Sequence, residues 1–571
     1  MKERNLMPSV RNLPELLAPA GSPEALAAAI EAGADAVYFG TTLFNARMSA
    51  KNFTREATLE ALKLCHDSGV KAYVTMNTTI YDKQMKDALL QAEFLYNAGA
   101  DALITADFGL ADLLSKYFPD FPLHASTQCS GHNADAAKYF HEHGFSLMVA
   151  ARELDRENLA KLIRESPIKI EVFIHGALCV SASGQCLMSS FVGGRSGNRG
   201  ECAQPCRLPY NGKYPLSLKD NCLAGHLKEI IDIGAASLKI EGRMKSPDYV
   251  RSVVSVYRRL LDENRNASAD EISYLSSVFS RGGFTDGYFT GRLISMNGIR
   301  SESDKVASQK HSAPVSVKSA PKAPVVIPER KYTLPDKADA LPRSQCKAPL
   351  PSARFYDPSS IPADHGFDIV YLPLDRFDGR VANGVIMPPV ITDKEIEKVR
   401  ESLFFAKKNG AKHILVGNVG HIALARETGM ILHGDFRLNV TSSFAMNAIE
   451  DEFEDVILSP ELTIPQIRDI GGKKNVIVYG RVPLMLLEKP LGVGKLTDRM
   501  KVDFPVLREG GRDIVINSVP VYMADKQSEM KRAMPFGMHF IFTTEGPQEV
   551  KYIINNYKKG LPTKKEIRRI K

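Results

Sequence analysis

Short runs rich in β-forming residues alternate with amphipathic helical stretches from residue 13 to about 264. The helical stretches, such as SPEALAAAIEAG, frequently end at a glycine, as helices often do. Eight β-rich runs start at Leu13, Asp35, Lys71, Asp101, Pro122, Phe145, Ile168 and Ala235. Repeated βα units predict an α/β fold with a parallel sheet, and eight of them in roughly 250 residues favour a TIM-like (β/α)8 barrel over an open doubly wound sheet.

The alternation is interrupted after residue 299. Residues 300–352 are rich in Pro, Ser, Ala and Lys, which predicts a linker or a loosely folded excursion. From Phe355 onwards, runs such as FDIVYLP and HILVGNVG again alternate with helical stretches. We therefore expect a barrel domain at 1–299, a linker at 300–352, and a second, partial α/β barrel-like domain at 353–571. Its basic end, YKKGLPTKKEIRRIK, is expected to be a solvated or frayed helix.

Composition limits the possible compartments and partners. A chain of 571 residues with 44% hydrophobic content can bury a large core. The net charge of +8 comes from 74 basic and 66 acidic residues, an excess that permits RNA binding without requiring it. The N-terminus has no apolar signal region, and no run of eighteen apolar residues occurs. We expect a soluble, cytoplasmic protein with no membrane partner.

Four cysteines lie close together in the stretch from Glu171 to Arg207. Cys179, Cys186, Cys202 and Cys206 follow a C-x6-C-x15-C-x3-C spacing among many glycines. Soft thiolate ligands suit an iron–sulfur cluster or a structural zinc ion, although zinc usually takes closer pairs such as C-x2-C. A 4Fe-4S cluster is therefore favoured over zinc and over unliganded structural thiols.

The other four cysteines have simpler interpretations. Cys222 is a fifth candidate that could replace Cys206 as a ligand. Cys65 is expected to pack in the core, and Cys346 to be a bystander in the linker. Cys129, at the end of a predicted strand, is expected to pack near the barrel mouth.

Polar residues gather where the predicted strands end, and barrel enzymes place catalytic groups at those carboxyl ends. Such residues are Asn77, Asp107, His124, Gln128, Arg152, His175 and Glu241. We take His175, His124 and Glu241 as catalytic candidates, and Asn45, Arg47, Asn77 and Arg243 as substrate-binding candidates. The alternative is that some of them cap the following helices, and that Arg47, Glu241 and Arg243 form ion pairs that close the barrel.

The segment from Glu171 to Ser189 reads E-x-F-x2-G-A-L-C-x4-G-x-C-x-M-S and resembles the signature of peptidase family U32. ELLAPAGSPEALAAAIEAGADAVYFG, NRGECAQPCR, ASLKIEGRMKSPDYV and RGGFTDGYF resemble the same family in order, over residues 13–295. The resemblance implies a barrel whose Cys179, Cys186, Cys202 and Cys206 hold a 4Fe-4S cluster. Longer members often carry further cysteines after the counterpart of VYGRVPLML, whereas KPLGVGK has none, which puts a second metal site in doubt.

Two functions follow from this resemblance. The family name records collagenase-like proteolysis, while other members act in hydroxylation of a tRNA wobble uridine or a ribosomal-RNA cytidine, with prephenate as a metabolic requirement. The chain lacks H-E-x-x-H and G-x-S-x-G, so it shows no familiar peptidase machinery. Hydroxylation of a pyrimidine is a two-electron oxidation, which a redox cluster and a prephenate-linked oxygen donor could support. We expect an RNA pyrimidine hydroxylase; the alternatives are a collagenase-like peptidase and a non-catalytic scaffold that carries a cluster for a partner protein.

Overall fold

The first barrel is a closed ring of eight parallel strands. The computed structural model describes residues 13–302 except 49, residues 304 and 306, and residues 322–335 and 350–570; the expectations for the N-terminus, Cys346 and most of the linker lie outside them. The ring strands are Glu15–Pro19 (β1), Ala36–Gly40 (β2), Lys71–Met76 (β3), Ala102–Thr105 (β4), Leu123–Ala125 (β5), Phe145–Val149 (β6), Lys169–Gly176 (β7) and Ser237–Ile240 (β9). The ring closes because β9 pairs in parallel with both β1 and β7. Asp220–Cys222 (β8) and Phe284–Thr285 (β10) extend the sheet outside the ring. The predicted TIM-like barrel is confirmed.

Helices cover the outside of this ring, and most begin at a side-chain cap. Asp107 and Asn133 each follow a strand end and accept a hydrogen bond from a backbone N–H in the first turn of the next helix. Such caps satisfy donors that the helix itself leaves unpaired. The helices are Pro23–Glu31 (α1), Arg55–Asp67 (α2), Asp82–Asn97 (α3), Phe108–Tyr117 (α4), Ala134–Glu142 (α5), Arg156–Glu165 (α6), Met188–Gly193 (α7), Leu227–Asp232 (α8), Pro247–Asp262 (α9), Ala269–Val278 (α10) and Gly287–Thr290 (α11).

The inside of the ring contains an ion pair among apolar side chains. Alternate strand residues face inward in a barrel, and six of them form a cluster separate from the main core: Leu17, Ala36, Tyr38, Tyr73, Ala102 and Ile104. Lys239 Nζ donates a 2.6 Å hydrogen bond to Glu171 Oε1, and both side chains are almost fully buried. The same ammonium group lies 4.3 Å from the ring centroid of Tyr38. Glu171 therefore compensates the charge that Lys239 brings into the ring.

The second barrel also closes, although a partial barrel was expected. Its eight parallel strands are Leu350–Phe355 (β11), Ile369–Pro373 (β12), Gly384–Ile386 (β13), His413–Val416 (β14), Ile431–Gly434 (β15), Val456–Ile457 (β16), Lys474–Gly480 (β17) and Gly537–Phe542 (β23). Pairing of β23 with both β11 and β17, and of β16 with β17, completes the ring. Its helices are Ile396–Lys408 (α12), Ile422–Glu427 (α13), Ser443–Asn447 (α14), Ile464–Asp469 (α15), Gln527–Arg532 (α16) and Pro547–Lys559 (α17). The sequence did not predict this closure because β13 and β16 have only three and two residues, too few to show a strand pattern.

An antiparallel sheet, which we call the wall sheet, interrupts the second barrel after β17. It consists of Pro483–Leu487 (β18), Lys495–Thr497 (β19), Asp503–Glu509 (β20) and Arg512–Ile516 (β21), in the order β18, β21, β20, β19. The short strand Val521–Tyr522 (β22) follows and pairs antiparallel with β17. The wall sheet contacts the first barrel through β18, where Leu487 forms an antiparallel bridge with Ser181.

The basic C-terminal end is docked, which corrects the expectation of a solvated or frayed helix. Tyr522 N donates a 3.0 Å hydrogen bond to Arg568 O, and Arg568 N donates one of 2.9 Å to Pro520 O. The guanidinium of Arg568 lies 4.2 Å from the ring centroid of Phe191 in α7. Residues 322–335, from the expected linker, also contact the first barrel, since Lys322 Nζ lies 2.7 Å from Asp35 Oδ1. Within the described residues, no helix has the length and apolar character needed to cross a membrane.

Candidate functional site

One open cavity lies at the carboxyl ends of the first barrel's strands, where barrel enzymes place their chemistry. It has about 1900 Å³ of free space, its open mouth included. Residues 177–207, which we call the cysteine loop, follow β7 and form much of its lining. The four cysteines of the loop, Cys179, Cys186, Cys202 and Cys206, all line this cavity. The fold thus brings together the four thiols that the sequence spacing singled out.

Backbone N–H groups contact sulfur atoms of the loop, and neighbouring thiols change one another's pKa values. Gln204 N donates a 3.4 Å hydrogen bond to Cys202 Sγ. Burial raises the pKa of Cys186, neighbouring thiolates such as Cys179 raise it further, and the Met188 N–H opposes the rise. In the part of the chain that the structure describes, no three His, Cys, Asp or Glu side chains are close enough to hold a single metal ion.

A glycine fixes how the cysteine loop meets the loop that follows β2. Gly200 has φ +82°, and a Cβ there would lie 2.3 Å from Asn45 O. Only glycine accepts this backbone conformation at so close an approach. Gly200 O in turn accepts a 3.3 Å hydrogen bond from Met48 N. The approach brings Cys202, two residues further on, to the cavity rim.

The cavity is strongly basic. Of the described lining residues, seven are basic and one is acidic: Arg47, Arg152, Arg207, Lys239, Arg243, Lys245 and Arg281, against Glu241. Clustered positive charge in a cleft favours anionic ligands such as phosphates and carboxylates. The thiols of the loop add negative charge only when they are deprotonated, as they must be to hold a metal. Anion binding is therefore the chemistry that the lining supports best.

Glu241 and Arg47 form an ion pair at the cavity, as the alternative interpretation of the sequence allowed. Arg47 Nη2 lies 3.3 Å from Glu241 Oε1, and the Arg47 side chain keeps 35% exposure. Burial opposes ionisation of Glu241, but Arg47, Arg152 and Arg243 outweigh it and hold the pKa of Glu241 below its usual value. Glu241 is therefore a carboxylate near neutral pH, suited to accept hydrogen bonds.

Arg243 and Asn77 also line the cavity, whereas Asn45 does not. Arg243 Nη1 donates a 2.9 Å hydrogen bond to Thr75 Oγ1, and burial lowers the pKa of Arg243 to about 10. Asn77 accepts a 3.0 Å hydrogen bond from Ala46 N. The side chain of Asn45 is fully buried and binds Thr41 O and Arg47 N within its own loop. Asn45 shapes the loop and presents no group to the cavity.

Neither candidate histidine lines the cavity. His175 packs against Tyr257, with Nδ1 3.3 Å from the hydroxyl. The strand register shifts between Phe173 and His175, which breaks the alternation that would turn His175 inward. His124 lies inside the ring, 4.8 Å from Tyr73 between ring centroids. Burial lowers the pKa of each histidine to about 3. Their placement gives no support to a catalytic role for either.

The remaining cysteines lie apart from the four. Cys222 is buried in β8, with Sγ 3.9 Å from the Tyr257 hydroxyl, and does not line the cavity, so the structure places Cys206 rather than Cys222 with the other thiols. Cys129 Sγ packs 3.7 Å from Thr105 O, and Cys65 is buried in the core as expected.

Several cavity residues were not singled out as site residues from the sequence. Lys239 lies in the otherwise apolar run of a strand. Arg207, Lys245 and Arg281 lie in the segments NRGECAQPCR, ASLKIEGRMKSPDYV and RGGFTDGYF, whose resemblance to the family did not mark them as site residues. Burial lowers the pKa of Lys245 to about 7. Met485 comes from the wall sheet, some three hundred residues away in sequence, and no local pattern could have indicated it.

Comparison with known proteins gives one family. A 23S rRNA 5-hydroxycytidine synthase of Escherichia coli is 41% identical over 259 residues, which cover 43% of this chain and only 39% of that protein. A collagenase of Porphyromonas gingivalis is 35% identical over 311 residues, 49% of this chain and 74% of that protein. The tRNA hydroxylation protein P1 of Bacillus subtilis is 36% identical over 266 residues, 44% of this chain and 63% of that protein. The family model of peptidase family U32 matches residues 21–295 and 380–484. The chain therefore belongs to peptidase family U32.

Proposed function

We propose that this chain is an iron–sulfur enzyme that hydroxylates a pyrimidine of tRNA or 23S rRNA. The observation that carries the proposal is the cavity of the first barrel, where four thiols and seven basic side chains face the same space. Relatives named for hydroxylation of tRNA and of 23S rRNA are 36% and 41% identical to the chain over 44% and 43% of its length. Since RNA modification takes place where RNA is made and used, we infer a cytoplasmic location.

The donor set fits a 4Fe-4S cluster held by Cys179, Cys186, Cys202 and Cys206. Four cysteine thiolates are the usual ligands of such a cluster, and hydrogen bonds to their sulfurs tune it. The Gln204 N–H donates such a bond to Cys202. A cluster is larger than one ion, so thiols spaced around the wall of one cavity could all reach it. When bound, the cluster would supply electron transfer that no side chain provides.

The protein's own side chains would bind and orient the RNA. Phosphate groups are attracted by Arg47 and Arg243, and an unstacked base needs hydrogen-bonding partners such as Asn77 and Glu241. Hydroxylation replaces a ring C–H bond by C–OH and removes two electrons from the base. The oxygen and the electron acceptor must come from a co-substrate. An anionic, prephenate-linked oxygen donor suits the basic lining.

Proteolysis is the alternative, because one relative is named a collagenase. A cysteine peptidase needs a base beside its thiol. His175, the histidine nearest to Cys179 in sequence, is turned towards Tyr257 and does not line the cavity. The geometry therefore favours RNA hydroxylation.

The test is mass spectrometry of tRNA and ribosomal RNA from a deletion strain complemented with variants. The wild type and Cys222→Ser should restore one hydroxylated pyrimidine, whereas Cys206→Ser should not. The purified wild type should carry about four iron atoms per chain, and Cys206→Ser fewer. Unchanged RNA with lost gelatin cleavage would support the peptidase instead. Unchanged RNA and unchanged proteolysis, with iron still bound, would leave a scaffold that carries the cluster for a partner protein.

A further inference from the structure

The two barrels share an unusual sequence of elements around their seventh and eighth strands. In each, an insertion follows the seventh strand, and a short strand then returns antiparallel to it: β8 on β7 and β22 on β17. A 3-10 turn and a six-residue helix come next, α8 in one barrel and α16 in the other, before the eighth strand. Eight-stranded barrels do not need such an excursion to close. Its presence in both indicates that the barrels are repeats.

Two glycines repeat in the same places. Gly176 and Gly480 end the two seventh strands with φ of +103° and +124°. A Cβ at Gly176 would lie 2.5 Å from Glu241 O, and one at Gly480 would lie 2.0 Å from Ile541 O. In both barrels, the end of the seventh strand therefore touches the backbone at the end of the eighth. Close backbone approach explains why glycine is required at both.

The contacts between the barrels are reciprocal. A glycine after the fourth strand of each barrel packs against the helix that follows the fifth strand of the other barrel. A Cβ at Gly109 of the first barrel would lie 2.4 Å from Ala445 N in α14. A Cβ at Gly420 of the second barrel would lie 3.0 Å from Ala136 N in α5. Asn133 Nδ2 donates to Gly420 O at 3.2 Å. Reciprocal contacts of this kind characterise the two-fold interface of a dimer.

The second repeat has no thiols after its seventh strand, since no cysteine follows Cys346 in the sequence. Glu509, at the end of β20, is buried beside Arg354 and Arg437, which oppose the rise in pKa that burial causes in Glu509. The insertion of the second barrel therefore does not form a cysteine-lined cavity of its own.

That insertion instead pairs with the cysteine loop of the first barrel. Ala182 N donates to Leu486 O, and Leu187 N to Leu484 O, both at 2.7 Å. Met485 lies between these two anchors and is 2% exposed. Of the described residues that line the cavity, it is the one contributed from beyond residue 350. Cys186 lies in the loop segment that the two hydrogen bonds bracket.

We propose that the second barrel is a diverged repeat that closes the first barrel's cavity, and that Met485 is the positioning residue that shields Cys186 and any cluster it holds. The cluster part of this statement rests on the function proposed above, whereas the shielding of the thiol does not. The methionine side chain is largely apolar and conformationally adaptable, so it fills the space beside sulfur atoms, and it carries no hydrogen-bond donor. The second barrel thus supplies within one chain the wall that a second copy would supply in a dimer.

The test compares full-length Met485→Ala and Met485→Leu with Met530→Ala. Met530 is a matched control because it is buried in α16 of the same barrel and does not line the cavity. In iron-free protein, iodoacetamide should alkylate Cys186 at least five-fold faster in Met485→Ala than in the wild type, while the exposed Cys202 reacts at an unchanged rate. Met485→Leu and Met530→Ala should react like the wild type.

The same variants, loaded with iron without oxygen, should then be exposed to air. The charge-transfer absorbance should decay several-fold faster in Met485→Ala and at the wild-type rate in Met530→Ala. Equal alkylation of Cys186 in the wild type and Met485→Ala would overturn the proposal. If no variant, wild type included, took up iron while alkylation still differed, the cluster would be refuted and the shielding role of Met485 would stand.

Discussion

The buried pair between Lys239 and Glu171 allows a quantitative test of how the first barrel is held together. Replacing Lys239 by Met leaves the Glu171 carboxylate uncompensated in a site where its side chain has no exposure. Removal of one partner of a buried ion pair costs about 3–5 kcal/mol. Because about 1.4 kcal/mol is a factor of ten, amides of β7 and β9 should exchange roughly 10²- to 4 × 10³-fold faster in Lys239→Met.

Hydrogen–deuterium exchange measured by mass spectrometry on peptides that cover β7 and β9 is the assay. The double variant Lys239→Met with Glu171→Gln should recover most of the loss, because neither remaining group is charged. Lys63→Met is the control: its pair with Asp67 is exposed at 76% and 62% and is expected to contribute less than about 1 kcal/mol. Exchange in Lys239→Met within three-fold of the wild type, or a double variant as fast as the single one, would refute the reasoning.

Three further outcomes are expected. Gly200→Ala should lower the melting temperature and the iron content, because its Cβ would meet Asn45 O. Gly193→Ala is the control and should change neither, because nothing lies within 4 Å of a Cβ there. Equal losses in the two variants would contradict this prediction. Arg47→Gln should reduce the slope of log affinity for RNA against log salt by about 1, as measured by titration, and an unchanged slope would exclude a phosphate contact. Burial raises the pKa of Asp107 to about 6. Because the folded state then holds this proton more tightly than the unfolded one, stability should fall as pH rises from about 4 to 6. Asp107→Asn should lose that part of the pH dependence in urea unfolding, and identical profiles would disprove it.

The sequence predicted those parts of the site that depend on local pattern. The first barrel follows from eight β-rich runs with helices between them, and the convergence of the four thiols follows from one glycine-rich loop after β7. Arg47, Glu241 and Arg243 lie at the cavity because strand ends converge at one face of a barrel. These features need no knowledge of the distant half of the chain.

Features that depend on small shifts or on distant segments were not predictable. A register shift between Phe173 and His175 in β7 turns His175 away from the cavity. The alternation of inward and outward residues in the sequence does not reveal such a shift, so the orientation of His175 could not be predicted. Lys239 is invisible as a site residue because its strand otherwise reads as buried. Closure of the second barrel depends on strands of two and three residues, which carry too little pattern to be recognised.

The second barrel gives the cysteine loop an order that its own sequence does not provide. Glycines at 184, 193, 194, 197 and 200 leave the free loop many conformations, each of which must be given up when the thiols converge. Hydrogen bonds from Ala182 and Leu187 to β18 fix the segment around Cys186, and the contact of Arg568 with Phe191 holds the helix that follows. These contacts act before any ligand binds, so the entropy of ordering the loop is largely lost during folding. A ligand of the four thiols would therefore meet a prepared site, and its affinity would depend on residues of the second barrel that do not themselves bind it.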